Sequence, residues 1–209
     1  MHVIIAVDGP AASGKGTVAR ALAEHFGLPH LDTGLLYRAV GLSVLRHGGD
    51  PSHEIDALRA CGFSDAMLHD PDIRCEAASR AASVVSTHPA VRQALMERQV
   101  EFAMQPGGAV LDGRDIGTVI APDANAKLFV TAKPEVRAKR RFAQLVGEGS
   151  QVEYNHILID IIDRDTRDTG RSAAPLRQAE DADLLETSDL DIGMAVRRAI
   201  VLVEARVNP

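Results

Sequence analysis

Gly9-Pro10-Ala11-Ala12-Ser13-Gly14-Lys15-Gly16-Thr17 decides how the rest of the 209-residue chain is read. Before it stands Val3-Ile4-Ile5-Ala6-Val7, a continuous apolar run rich in β-branched residues. Without polar alternation, such a run predicts a strand buried on both faces, as in a parallel sheet. From Lys15 to Phe26 the apolar spacing becomes helical, and Gly27 is placed to stop that helix. The frame G-x-x-x-x-G-K between a buried strand and a helix fits a phosphate-binding loop in its required context. Glycines let backbone N–H groups turn inward around phosphate oxygens, and the helix N-terminus adds positive potential. Lys15 can bridge the outer phosphates as charge develops in transfer. A Gly-rich turn with no ligand would not need that lysine. Position 16 is Gly where the standard motif has Ser or Thr, and the hydroxyl comes one place later at Thr17. Direct metal ligation by the loop is therefore not expected.

Outward from the loop, strands and helices alternate. His30-Leu31-Asp32 reads as a brief strand, and Thr33 is placed to cap a helix through Leu45. Gly48-Gly49-Asp50-Pro51 breaks it, and residues 51–72 read as a less regular insert. Helices are expected at about Ile73–Ser86 and Pro89–Met104, the second with proline in its first turn. Strands follow at Ala109-Val110-Leu111 and Lys127–Thr131, then a helix over Pro134–Val146. A charged helix over about Val152–Asp168, a strand at Leu184–Thr187 and a helix at Ile192–Val207 complete the chain. This order predicts an α/β fold, a parallel sheet flanked by helices.

Composition narrows the function classes. Hydrophobic residues at 45% and charged residues at 25% allow one domain with a real core and exclude bulk disorder. No apolar run approaches the roughly 18 residues of a membrane span. The first residues carry no basic segment and no small-residue cleavage site, so a soluble, cytoplasmic protein is expected. A net charge of −6 argues against a duplex-coating surface, and seven aromatics without Trp are a thin supply for stacking bases. Cys61 and Cys75 form no CxxC, and the eight histidines show no ligand spacing, so structural or surface roles are expected for them.

Three further segments carry chemistry. Asp32-Thr33-Gly34-Leu35-Leu36-Tyr37-Arg38 follows the second strand, and Asp112-Gly113-Arg114-Asp115-Ile116-Gly117-Thr118 follows the third. In a parallel α/β sheet, ligands bind beyond the carboxyl ends of the strands, where these segments and the phosphate loop lie. The third is Arg164-Asp165-Thr166-Arg167-Asp168-Thr169-Gly170-Arg171. At about 100° per residue, Arg164, Arg167 and Arg171 fall within roughly 60° of one another on a helix, with Asp168 on the same side. Taken alone, that run reads as a solvated face of ion pairs. Beside a phosphate loop it reads as an anion grip, because parallel guanidiniums repel unless an anion or carboxylates intervene.

The combination D-G-P-A-A-S-G-K-G-T, D-T-G-x-x-Y-R, D-G-R-D-x-G-T and R-D-x-R-D-x-x-R resembles the bacterial cytidylate kinases of the nucleoside monophosphate kinase family. The resemblance runs over about four-fifths of the chain. It implies a P-loop NTPase-like core (1–32, 108–145 and 173–209), an NMP-binding insert at about 33–107 and a short lid at about 146–172. It implies transfer of the γ-phosphoryl group of ATP to CMP and dCMP, with Mg2+ held largely through waters and phosphates. Residues Gly9 to Thr17, namely Gly9, Pro10, Ala11, Ala12, Ser13, Gly14, Lys15, Gly16 and Thr17, would bind ATP, with Arg140 near the adenine. Arg38 and Arg114 would clamp the acceptor phosphate, and Arg171 would grip phosphates from the lid, with Arg164 near phosphate and sugar. Lys15, Arg114, Arg164 and Arg171 would thus be the catalytic set. Asp168 would hold the sugar hydroxyl, while Ser83, Arg92 and Asp115 would read the cytosine edge. Thr33 would lie in the acceptor pocket, and Tyr37 would form its wall or simply pack against a helix. Arg74 falls in register with a position near the acceptor site. No direct metal ligand is implied; Asp32 either caps the next helix or orders water around magnesium.

Arg137, Lys139 and Arg141 read as solvated helix charges. The partners implied are ATP and CMP or dCMP, with no nucleic acid and no membrane, and a monomer is expected. Two rival readings stand beside this one. The first is a P-loop kinase for another nucleotide or small metabolite. The second is a nucleotide-switch NTPase, which would want a guanine reader such as N-K-x-D; the sequence has none.

Overall fold

The computed structural model describes residues 2–207. Five strands form one sheet: β1 (Val3–Asp8), β2 (His30–Asp32), β3 (Gly108–Gly113), β4 (Ala126–Thr131) and β5 (Asp183–Glu186). Their order is β2-β3-β1-β4-β5, and every pairing is parallel. β1 is central. The chain leaves it first toward β3 and β2, then toward β4 and β5, so a crevice opens beyond the carboxyl ends of the strands.

The apolar run of β1 is explained by its two covered faces. Ile5 and Val7 pack with α1 (Lys15–Phe26) and α8 (Ile192–Val207), through Val18, Leu22, Ala199 and Val203. Ile4 and Ala6 face the other way, toward Leu111, Ile116 and Ala103. Gly27 ends α1 with φ 63°, a left-handed conformation that costs glycine little.

Two smaller cores lie outside the sheet. One joins α2 (Gly34–Arg46), α4 (Glu76–Val85) and α5 (Pro89–Ala103) through Leu36, Val40, Ala82, Val85, Val91 and Leu95. α2 and α4 come so close at Gly41 that a Cβ there would stand 2.8 Å from the Cβ of Ala81. The other joins α6 (Pro134–Gly147) to α7 (Tyr154–Gly170) through Ala138, Leu145, Ile157 and Ile161.

The expected elements are present with small shifts at their ends. Residues 51–72 hold α3 (Glu54–Arg59) and a chain of 3-10 turns that runs on to Arg74, so the helix expected from Ile73 begins only at Glu76. Thr33 does not cap α2 with its side chain; its hydroxyl donates to the Asp112 carbonyl at 2.9 Å. The cap falls to Asp32, whose Oδ1 accepts from the Gly34 amide at 3.1 Å. A π-helical turn, Ile116–Ile120, follows β3 and was not foreseen.

Candidate active site

The loop after β1 has the backbone its glycines allow. Gly9 has φ 152°, and a Cβ there would lie 2.0 Å from the Val130 carbonyl oxygen, so no other residue fits. Gly14 (φ 91°) and Ala12 (φ 58°) also take positive φ, which curls the loop over the start of α1. Gly9 and Pro10 are buried beneath the cleft, and Ala11 to Thr17 line it.

The cleft has a volume of about 1650 Å³. That exceeds the roughly 300–1,000 Å³ usual for one small ligand. Thr33, Tyr37, Arg38, Ser83, Arg92 and Arg114 all line it. So do Asp115, Arg140, Arg164, Asp168 and Arg171, along with Asp32 and Arg74. Cationic side chains outnumber acidic ones along its walls, in a chain of net charge −6.

The charges are arranged in pairs that span the sequence. Arg114 Nε donates to Asp168 Oδ2 at 2.7 Å, joining the end of β3 to α7. Desolvation opposes both charges, yet Arg114 is held up by Asp168 with Asp112 and Asp32, and Asp168 is held down by Arg114 with Arg164 and Arg171. Arg92 donates to Asp115 Oδ2, and Arg171 Nη2 lies 3.7 Å from Asp115 Oδ1. The Arg92 guanidinium also sits 5.5 Å from the centroid of Tyr37, which therefore forms a wall against it. Arg164 and Arg167 reach the hydroxyls of Ser79 and Ser83, one turn apart on α4, at 3.3 and 3.1 Å. Arg140 binds Thr187, whose hydroxyl donates to the Ser13 carbonyl.

The remaining cations have carboxylates only at 3.7–4.0 Å or farther, too weak to offset burial. Lys15 is lowered to about 8 by burial and then by Arg114. Arg164 falls to about 10, again by burial first and Arg114 second. Burial likewise lowers Arg38 and Arg171, and neighbouring arginines push the same way. Ser13 Oγ, Arg164 Nε and Arg171 Nη2 are buried with no hydrogen-bond partner. Such donors are costly unless something meets them. A polyanion in the cleft would supply both the acceptors and the charge.

Several contributors were not read from the sequence. Of the structural and surface roles expected for the histidines, His30 takes the structural one: its Nε2 lies 2.8 Å from Asp112 Oδ1, while Asp112 Oδ2 faces Lys15 Nζ at 3.8 Å. Arg137 is not solvated; it is buried, donating to the Ala132 and Ala11 carbonyls and pairing with Asp165 of α7. Arg141 binds Glu76 at 2.8 Å, whereas Lys139 is exposed as expected. Asp8, the acid ending the β1 run, is a further buried carboxylate that the sequence reading did not single out. No group of three or more His, Cys, Asp or Glu able to hold a metal occurs among the described residues.

A parallel sheet in this order, a lysine-bearing loop at its centre and an arginine-rich cleft define a P-loop kinase architecture. Two solved structures share the fold. An uncharacterised protein from Eubacterium ventriosum matches with TM-score 0.57 at 16% identity, over 98% of this chain and all of that one. A gluconokinase from Sinorhizobium meliloti matches with TM-score 0.53 at 16% identity, over 97% and 92%. Sequence comparison is more specific. The family model for cytidylate kinase matches residues 5–205. Cytidylate kinases from Xanthobacter autotrophicus and Methylocella silvestris are 58% and 54% identical, covering 98% and 97% of this chain and 98% and 94% of their own. The chain belongs to the cytidylate kinase family.

Proposed function

We propose that the protein transfers the γ-phosphoryl group of ATP to CMP, and to dCMP, giving ADP and CDP or dCDP within pyrimidine nucleotide metabolism. One observation carries this reading. Lys15 and the guanidiniums of Arg38, Arg114, Arg164 and Arg171 line one cleft beyond the strand ends, and buried donors among them are unpaired. Measuring ATP consumption with and without an acceptor panel tests it. Turnover is expected with CMP and dCMP and to fall to background without them; turnover independent of CMP would sink the proposal.

Ala11 to Thr17 would wrap the donor phosphates, and Arg140 and Thr187 would border the adenine. Gly9 and Pro10 would shape the loop from below. Arg38 and Arg114 would hold the acceptor phosphate in line with the donor, with Thr33 behind them. Arg164 and Arg171 would meet the transferring oxygens as charge spreads over them. Asp168 would take a sugar hydroxyl while holding Arg114. Ser83, Arg92 and Asp115 would read the base, against the Tyr37 wall. Helices α2 to α5 would act as the acceptor insert and α7 as the lid. The Arg164–Ser79, Arg167–Ser83 and Arg141–Glu76 contacts would let the two exclude water together.

The donor set suits a cation held through phosphates and water, since Asp32 and Asp112 line the cleft beside the loop and no three-ligand cage exists among the described residues. Magnesium bound there would neutralise the donor phosphates. No described helix is long and apolar enough to cross a membrane. A monomer acting on small molecules in the cytoplasm, without nucleic acid or membrane partners, completes the proposal.

Arg171 should act mainly in the transition state. Arg171→Ala is expected to lower kcat about tenfold or more while KM for CMP changes less. A variant altered only in KM would place Arg171 in ground-state binding instead.

The depressed Lys15 gives a pH prediction. Its ammonium is protonated below about 8 in the free enzyme and neutral above. kcat/KM for ATP should therefore fall as pH rises through about 8. Bound phosphates favour the ammonium, so kcat should hold to higher pH. A kcat/KM that stays flat to pH 9.5 would contradict this.

A further inference from the structure

Asp8 stands immediately before the phosphate loop, yet its side chain turns away from it. The carboxylate is 5% exposed. Its Oδ1 accepts from the Ile116 amide and its Oδ2 from the Gly117 amide, each at 2.8 Å. Two oxygens of one carboxylate thus hold two successive amides of the π-helical turn that follows Arg114 and Asp115. The sheet makes this meeting possible, because parallel pairing of β1 with β3 sets Asp8 beside Gly113. The approach is close: a Cβ on Gly117 would lie 3.5 Å from Asp8 Oδ2 and 3.1 Å from Lys127 Cδ.

The first amides of a helical turn have no partner within it. In this buried corner water cannot serve them, and Asp8 does. Holding a carboxylate there is costly. Burial pushes Asp8 up to about 7, against the pull of the two amides and of Arg114, with Asp115 adding to the rise. An apolar residue would fill the same space without that cost but would leave both amides orphaned.

We infer that Asp8 is a positioning residue for the acceptor side of the cleft, acting through the 114–117 backbone, although it sits in the donor-side motif. This rests on the reading of Arg114 and Asp115 as acceptor contacts. If the turn shifts, Arg114 loses its alignment with Asp168, and Asp115 its alignment with Arg92 and Arg171. The phosphate loop is held by other means, through Thr187 on the Ser13 carbonyl and Arg137 on the Ala11 carbonyl.

The test is the kinetic signature of Asp8→Asn, whose amide nitrogen cannot accept and faces one of the two N–H groups. KM for CMP should rise about tenfold, the scale of one lost charged hydrogen bond, while KM for ATP changes less than about twofold. A rise in KM for ATP with CMP unaffected would overturn the inference, and so would unchanged kinetics in a folded variant. Asp115→Asn is measured alongside. If it alters CMP kinetics and Asp8→Asn does not, the positioning role falls while the acceptor reading stands. If Asp115→Asn leaves CMP kinetics untouched, the acceptor reading fails and takes the positioning role with it. Should Asp8→Asn not fold, amide hydrogen exchange in the wild-type protein decides. Ile116 and Gly117 should be strongly protected and slow further with CMP alone. Exchange at the rate of open loop amides would refute the clamp.

Discussion

Lys15→Ala is expected to lower kcat by about a hundredfold or more while the fold survives, the scale of removing one preorganised charge from a developing oxyanion. The lysine sits at the first turn of α1, beside the loop, with Asp112 Oδ2 at 3.8 Å as its ion-pair partner. Its burial and the neighbouring Arg114 already disfavour its charge. Removing it relieves the burial of a charge and the repulsion from Arg114, while Asp112 keeps His30 as a partner, so folding stability should change little. The catalytic loss comes from the transition state, where no other ammonium can take its place. Steady-state kinetics with thermal melting followed by circular dichroism checks both halves. A kcat near that of the wild type would remove Lys15 from the chemistry.

The second large effect concerns base choice. Cytosine presents an amine donor at N4, where uracil presents an oxygen. A carboxylate at Asp115 can accept from the amine but meets uracil's oxygen with its own lone pairs. Asp115→Ala should therefore cut kcat/KM for CMP far more than for UMP, shrinking the preference by about tenfold or more. The geometry adds a uniform component. Asp115 also neutralises Arg92 and lies near Arg171, and all three are buried. Leaving those guanidiniums without their carboxylate should cost about 3 kcal/mol or more of stability, read by urea unfolding. If Asp115 only holds the two arginines, both substrates suffer equally and the CMP-to-UMP ratio stays put. A changed ratio separates recognition from scaffolding.

Much of this molecule is legible without coordinates. The phosphate loop is contiguous, and each of its requirements, from the strand before to the helix after, lies within about thirty residues. The Val3–Val7 run announces a strand covered on both faces, as Ile5 and Val7 on one side and Ile4 and Ala6 on the other bear out. The spacing places Arg164 and Arg167 on one side of α7, because helical geometry is local; Arg171, expected on the same helix, is instead the extended residue that ends it.

The pairings that give these residues their character are not local. Arg114 and Asp168 are 54 positions apart, and Asp8 and Gly117 are 109 apart. Which acid meets which base depends on strand order and on where α4 and α7 come to rest. Arg137 shows the limit most clearly. Its helix position suggested solvent, but α7 packs over α6 and brings Asp165 onto it at 3.0 Å. His30 likewise reads as an unremarkable strand residue until β2 pairs with β3 and sets it against Asp112. The sequence alone determined the loop, the sheet class and the supply of arginines, because those rest on short-range periodicity and covalent spacing. Only the tertiary structure decided the ion pairs and the two-amide clamp of Asp8, because burial and charge compensation are set by contacts between segments far apart in the chain.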